Sequence, residues 1–319
     1  MTFNKKKLFI IFTFSFSFWW GMNILAENLE DFFYWQQFAV NPQILEAQAN
    51  QIEFANNIRN SKPFKRNDAA DLIIGARSAI SIFLDNRGNE RILFWQNPDE
   101  KLPIASLTKL MTAKIVLDNY DLSQPVNISK EAIDQEENFG KLRVGEILSV
   151  KDLLYPLLME SSNDAAFALA NDYPGMTEER FIQLMNTEAE RLGLGNTYFV
   201  DISGLDPEEP VSTTNYSTVV DLAKLAQELL KTSLIWEILS RPQINLYGQE
   251  LENTNKLLTT LPGIIGGKTG YTEKALGCFL LVIKAPKGKG LLINVILGAD
   301  NRFQEMEKLI DWIKIAYKW

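Results

Sequence analysis

The spacing of apolar positions changes several times along the chain. Residues 77–84 and 91–95 are short β-rich runs, and between them Asp85-Asn86-Arg87-Gly88-Asn89 is polar around a glycine free to take a positive φ. That pattern predicts a β-hairpin. After Pro103 the period becomes helical, with Leu107, Leu110, Met111, Lys114, Ile115 and Leu117 following Ser106. Further helices are predicted over about 151–171, 177–192 and 217–231. Strands return at 278–283 and 291–297, joined by Pro286-Lys287-Gly288-Lys289-Gly290 as a hairpin loop. A last helix over 303–317 places Phe303, Met306, Ile310, Ile313 and Tyr317 on one face. Strands at both ends with helices between them predict an α+β fold. An antiparallel β-sheet is flanked by helices, a helical subdomain is inserted, and the crevice between the layers is the natural site.

The N-terminus has a different character. Lys5-Lys6-Lys7 precedes the almost wholly apolar residues 8–20, and Gly21 to Ala26 leads to Glu27. A basic n-region, an apolar h-region and a small residue before a charge mark a targeting segment over 1–26. Ile24-Leu25-Ala26 resembles a cleavage site, while residues 8–26 are long enough to serve as a membrane anchor. The segment is expected either as a signal peptide or as an anchor. In both cases Lys5 to Lys7 stay cytoplasmic and the remainder is exported, to the periplasm or cell envelope. Residues 27–70, with scattered Phe32, Phe33, Tyr34 and Trp35 and ending near Ser61-Lys62-Pro63, read as a stalk or linker, and 71–319 as the catalytic domain.

Composition narrows the chemistry. The net charge of −8 gives no support to a nucleic-acid-binding surface. The absence of histidine removes Ser-His-Asp and Cys-His catalysis, His-ligated zinc and His general bases together. Acid–base work is left to Lys, Asp, Glu, Tyr or one thiol. That thiol, Cys278, is the only cysteine, so the chain forms no internal disulfide and no cysteine-rich metal cluster. Its place in an apolar strand reads as a small buried hydrophobe.

Three short motifs carry candidate chemistry. Ser106-Leu107-Thr108-Lys109 opens the helix predicted after Pro103. A spacing of three puts hydroxyl and amine on one helical face, one turn apart. Burial, the positive end of a helix and a nearby cation each lower a lysine's pKa toward the role of base. By itself the same pattern also describes a capped helix with an exposed Lys. Ser161-Ser162-Asn163 interrupts two apolar helical stretches, as a turn at a helix junction does. It reads as an N-cap, or as a second hydroxyl that relays a proton beside an amide that holds both base and substrate. Gly266-Gly267-Lys268-Thr269-Gly270 precedes Tyr271 and the strand at 278–283. Its glycines let a ligand lie against the backbone, Lys268 supplies a cation, and Thr269 a hydroxyl suited to a carboxylate. The alternative is a Gly-rich turn into a strand. A Walker A loop is excluded, because its first glycine would fall at Pro262.

S-x-x-K, S-x-N and K-T-G each occur once and in this order, the set shared by penicillin-binding proteins and class A β-lactamases. The region from Ala76 to Trp312 resembles the D-alanyl-D-alanine carboxypeptidases of the low-molecular-mass penicillin-binding proteins, peptidase family S11. The resemblance runs through Ile104-Ala105-Ser106-Leu107-Thr108-Lys109-Leu110-Met111-Thr112-Ala113, Ser162-Asn163-Asp164-Ala165-Ala166, Ser203-Gly204-Leu205-Asp206 and Gly267-Lys268-Thr269-Gly270-Tyr271-Thr272. It implies a β-lactamase/DD-peptidase-like fold and a serine peptidase acting on peptidoglycan pentapeptide stems that end in D-Ala-D-Ala. Ser106 would be the nucleophile, Lys109 its base and Ser161 the proton relay. Asn163, Lys268, Thr269, Gly270 and Tyr271 would bind substrate, with the backbone N–H groups of Ser106 and Tyr271 as the oxyanion hole. The resemblance implies no metal and no cofactor, and β-lactam antibiotics as covalent inhibitors; contact with the cytoplasmic membrane is expected instead through the N-terminal segment read above.

Two departures from the family stand out. Relatives of the best-known type carry a C-terminal β-domain and an amphipathic tail, whereas this sequence stops at Trp319. Where some members have Arg between two Asn, this chain has Asn253-Thr254-Asn255, with Arg302 as the substitute for carboxylate recognition. A DD-endopeptidase, a β-lactamase and a non-catalytic cell-wall-binding module are the competing readings. Against the β-lactamase, Glu178 to Asn186 does not fit the E-x-x-L-N spacing of a carboxylate that holds the deacylating water.

Overall fold

The computed structural model describes residues 63–136, 141–207, 213–246 and 248–319. The targeting segment expected over 1–26, and the linker up to residue 62, lie outside the described residues. Strands β1 (Ala76–Asp85) and β2 (Glu90–Gln96) are followed by helices α1 (Thr108–Asn119), α2 (Val150–Tyr155), α3 (Asn163–Phe167) and α4 (Glu178–Arg191). Next come α5 (Val219–Leu229) and α6 (Ser233–Leu239), then strands β3 (Ile264–Thr272), β4 (Leu276–Lys284) and β5 (Gly290–Ala299), and helix α7 (Arg302–Ala316).

The strands form one antiparallel sheet in the order β3-β4-β5-β1-β2. Its centre joins the two ends of the folded region, because β5 pairs with β1 from Gly290 opposite Asp85 to Ala299 opposite Ala76. The helices between β2 and β3 make the inserted layer, so the architecture is the α+β arrangement expected from the sequence. Successive side chains on a strand face opposite sides. Ile80, Ile82, Leu280, Val282 and Val295 belong to the core under the inserted helices, while Ala79, Phe83, Phe279, Leu281 and Ile296 pack with Met306, Leu309, Ile310 and Ile313 of α7. With both faces covered, the central strands are apolar along most of their length, and the buried Ser81 of β1 donates its hydroxyl to Asn294 Oδ1 of β5 at 2.7 Å. Each fully buried Val, Leu, Ile, Phe or Met side chain contributes about 1.5–3 kcal/mol. Cys278 is fully buried in this core, and burial pushes its thiol pKa up to about 12, consistent with an inert hydrophobe.

Residues 63–70, at the end of the stretch read as a linker, join this unit. Phe64–Lys65 pairs with Tyr317–Lys318, Arg91 donates to the Pro63 carbonyl, and Trp312 donates to the Ala70 carbonyl at 2.7 Å. Tyr317 therefore leaves the helix expected over 303–317 and continues as strand, with its hydroxyl bonded to the Leu93 carbonyl. The helix expected over about 151–171 is broken in the middle. Residues Pro156–Glu160 form a π-helical turn, Ser161 takes φ 65°, and Ser162 caps α3 by accepting from Ala165 N–H at 3.1 Å. Among the described residues no helix is long and apolar enough to cross a membrane.

The Gly-rich segment differs most from its sequence pattern. It is the edge strand β3 itself, not the alternative of a Gly-rich turn leading into a strand. Glycine has low intrinsic β preference, but here it removes collisions. A Cβ at Gly266 would lie 2.9 Å from Leu239 and Trp236 of α6, and one at Gly270 would lie 2.9 Å from the Ser106 nitrogen.

Candidate active site

Ser106 sits in the 3-10 turn Ala105–Leu107, which runs into α1. Ala105 just before it takes φ 46°, a left-handed conformation that costs a non-glycine residue about 1–3 kcal/mol. The neighbours hold it there. Gly204, at φ 89°, lies so close that a Cβ would stand 2.0 Å from the Ala105 oxygen, and Gly270 of β3 presses on Ser106 from the other side.

One helical turn on, the Lys109 side chain is fully buried. Its Nζ lies 3.1 Å from Ser106 Oγ, 2.7 Å from Asn163 Oδ1 and 2.8 Å from the Ser203 carbonyl oxygen. Two of these partners only accept, while the hydroxyl can accept from an ammonium or donate to a neutral amine. Asn163, at the start of α3, also donates through Nδ2 to the Glu136 carbonyl at 2.8 Å, which fixes the orientation of its amide.

On the opposite wall, Lys268 of β3 donates to Ser161 Oγ at 2.7 Å and to the Thr269 carbonyl at 2.9 Å. It too is fully buried. Burial above all, then the charges of Lys109 and Arg302, hold its pKa well below the ordinary lysine value. Thr269 donates its hydroxyl to Thr254 Oγ1 at 2.8 Å, and Thr254 N–H is tied to the Met159 carbonyl at 3.0 Å. The exposed Tyr271 side chain stands at the mouth.

Ser106, Ser161, Asn163, Thr269, Gly270 and Tyr271 all line one open cleft of 790 Å³, with the amines of Lys109 and Lys268 reaching its floor. The structure thus brings Ser106, Lys109, Ser161, Asn163, Lys268, Thr269, Gly270 and Tyr271 together, whereas Ser162 caps α3 and Gly266 packs against α6. Arg302, the proposed substitute, lines the same cleft from the start of α7, and its buried Nε has no hydrogen-bond partner. Burial lowers its pKa from the usual guanidinium value.

Sequence reasoning passed over two features. The Ser203 carbonyl is a backbone acceptor, and only the string Ser203-Gly204-Leu205-Asp206 hinted at it. Glu160, next to Ser161, also lines the cleft, just ahead of the interval between the second and third motifs where the E-x-x-L-N spacing would fall. Its Oε1 pairs with Lys141 at 3.3 Å and its buried Oε2 has no partner. Burial raises its pKa against the opposing pull of Lys141. Glu178 and Asn186 are absent from the cleft lining, and Asn186 instead bridges to the Phe199 carbonyl at 2.8 Å. Among the described residues no cluster of acidic, histidine or cysteine side chains could hold a metal ion.

This combination of an antiparallel sheet, an inserted helical layer and a Ser–Lys pair facing a lysine-bearing edge strand has counterparts among known proteins. The D-alanyl-D-alanine carboxypeptidase family profile matches residues 65–301, and the chain belongs to that family, peptidase family S11. It is 34% identical over 256 residues to the D-alanyl-D-alanine carboxypeptidase DacF of Bacillus subtilis, a match covering 76% of this chain and 64% of that protein. The chain therefore spans somewhat less than two thirds of that relative's length. It is 33% identical to a D-alanyl-D-alanine endopeptidase of Pseudomonas aeruginosa, over 73% of this chain and 76% of that protein. Among solved structures, penicillin-binding protein D2 of Listeria monocytogenes in its cefotaxime-bound form superposes with a TM-score of 0.66 at 31% identity, covering 76% of this chain and 99% of that one.

Proposed function

We propose that the protein is an exported serine-type D-Ala-D-Ala carboxypeptidase that trims peptidoglycan stem peptides. The observation that carries this reading is the Lys109 amine held between Asn163 Oδ1 and the Ser203 carbonyl with Ser106 Oγ at 3.1 Å. A neutral amine has two protons and one lone pair. With its protons given to the two acceptors, the lone pair faces the Ser106 hydroxyl.

In this mechanism Ser106 Oγ attacks the carbonyl carbon of the penultimate D-Ala while its proton passes to Lys109 Nζ. The backbone N–H groups of Ser106 and Tyr271 receive the developing oxyanion. The C–N bond then breaks, and Ser161, its hydroxyl kept in place and polarised by Lys268, passes its proton to the departing nitrogen and takes up the one held by Lys109, which leaves that amine neutral again. D-Ala leaves, and water hydrolyses the ester on Ser106 to free the shortened stem and restore the serine. Asn163 contacts the peptide amide. Thr269, Lys268 and Arg302 take the terminal carboxylate, with the otherwise unpartnered Arg302 Nε supplying a charged donor.

β-Lactams would acylate Ser106 as covalent inhibitors, a proposal supported by the cefotaxime-bound form of the Listeria protein. Export to the periplasm or cell envelope rests on the sequence of residues 1–26, either cleaved or kept as an anchor on the outer face of the cytoplasmic membrane. A DD-endopeptidase is the second reading, favoured by similarity to the Pseudomonas endopeptidase and by a cleft that continues past Thr254 to Glu252 and Lys256. Digestion of purified muropeptides tests both. Free D-Ala from pentapeptide monomers supports the carboxypeptidase, monomers released from cross-linked dimers support the endopeptidase, and neither product rejects both.

A further inference from the structure

The acceptor that Ser203 offers to Lys109 is a main-chain oxygen, so the residue's own side chain does not define its position. The neighbouring Asp201 does. Asp201 Oδ1 accepts from Ser203 N–H at 2.9 Å, from the Ser203 hydroxyl at 3.0 Å, from Leu205 N–H at 3.2 Å and from Gly204 N–H. Successive backbone N–H groups closing on one anion form a rigid nest. Asp201 is itself fixed by Asn215. Asn215 Oδ1 accepts from Val200 N–H at 2.7 Å and Asp201 N–H at 3.0 Å, and its Nδ2 donates to the Asp201 carbonyl at 2.8 Å and to Thr108 Oγ1 at 3.0 Å. Thr108 precedes Lys109, so the turn is tied to the helix that carries the amine. At its other end, Asp206 accepts from Thr272 Oγ1 at 2.9 Å and Lys274 N–H at 3.0 Å, which ties it to β3.

We infer that Asp201 is a positioning residue for acylation: it holds the Ser203 carbonyl where one Lys109 proton must go, so that the amine's lone pair faces Ser106. The inference rests on the roles of Ser106 and Lys109 under the proposed function. The negative charge is not the essential property. The four bonds converge on Oδ1, an oxygen that asparagine retains, and misorientation of a reacting group by a fraction of an ångström lowers the chemical step with little effect on binding.

The test measures acylation of the full chain by a fluorescent penicillin at several concentrations, separating the acylation rate constant from the preceding binding constant, with a melting curve for each variant. Asp201→Ala is expected to lower the rate constant by about tenfold or more with the binding constant within about twofold of wild type. Asp201→Asn is expected to restore the rate to within about threefold of wild type. An Asp201→Ala variant that acylates at the wild-type rate overturns the inference, as does a folded Asp201→Asn as impaired as the alanine variant. If the alanine variant does not fold, Asp201→Ser takes its place. The shorter serine cannot span Ser203 and Leu205 together, so a wild-type rate in it would be equally contrary. A wild-type chain that takes no label removes the reading of Ser106 itself, whereas equal labelling of wild type and Asp201→Ala removes only the role of Asp201.

Discussion

Lys268 Nζ stands 2.7 Å from Ser161 Oγ, so the hydroxyl expected to protonate the leaving nitrogen is bonded to a fully buried amine. Among the described residues no carboxylate forms an ion pair with that amine, and its pKa is held well below the ordinary lysine value. In the unfolded chain the lysine regains its ordinary pKa. Between the two values the unfolded state binds more protons, so stability rises with pH across that window, and the cost of burying the charge is fully present below it. Lys268→Met is expected to raise stability at neutral pH by about 1–3 kcal/mol while acylation falls. Melting curves at pH 7 and in the alkaline range check this, and a variant less stable than wild type at pH 7 is the contrary result.

Lys109→Arg separates the two lysines. Guanidinium does not deprotonate near neutral pH, so this variant is expected to lose acylation by about a thousandfold, the scale of a lost general base. Lys268→Arg keeps a cation beside Ser161 and is expected to retain measurable acylation. Rates of penicilloyl formation in both variants decide the matter, and full acylation by Lys109→Arg would mean that another group takes the proton.

Arg302 is expected to act on the substrate carboxylate. Arg302→Leu should raise KM for a D-Ala-D-Ala peptide by about tenfold, the loss of one charge-assisted hydrogen bond, and leave the peptide amide nearly unaffected. Steady-state kinetics on the acid and the amide provide the comparison. An equal effect on both would place Arg302 outside carboxylate recognition.

Glu160 is the carboxyl group nearest in sequence to Ser161 and lines the cleft, so it is the one to test for β-lactamase-like deacylation. Its Oε1 is engaged by Lys141, and that ion pair lowers its basicity against the raising effect of burial. Glu160→Gln is expected to leave the lifetime of the penicilloyl adduct within about threefold of wild type, short of the loss expected on removing a general base. Mass spectrometry of the intact adduct over time follows the lifetime, and a strongly prolonged adduct would make Glu160 a deacylating base.

The fold was legible where each segment has a covered face and a clear period. β1, β4, β5 and α7 carry their apolar residues where they are buried, whereas in the edge strand β2 Leu93 is buried while Ile92 and Trp95 are exposed, and the hairpin loops are marked by Gly88 and by Gly288 and Gly290. Legibility fell where tertiary contacts override local preference. β3 is a strand because Gly266, Gly267 and Gly270 let it pass close to Trp236, Leu281 and Ser106, contacts that propensity cannot register. The break at Ser161 within an apolar helical stretch was visible as polarity, but its left-handed backbone was not. The reactive side chains of the three motifs could be named from spacing and resemblance, but Glu160 on the cleft wall was not. The Ser203 carbonyl could not, because main-chain acceptors leave no trace in residue type.

The targeting segment makes its own prediction. N-terminal sequencing of the protein from its native host should find a start near Glu27 if residues 1–26 are cleaved, or an intact N-terminus in the membrane fraction if they anchor the chain. Full-length protein in the cytosol contradicts export.

Acylation of Ser106 is the most direct measurement. Purified wild-type protein is incubated with a fluorescent penicillin, denatured and resolved on a gel beside Ser106→Ala with a matching melting curve. Covalent label on the wild type and none on the folded variant is the expected result, with a tryptic peptide carrying the penicilloyl group on Ser106. Equal labelling of the two proteins, or a modified residue elsewhere, would contradict the mechanism.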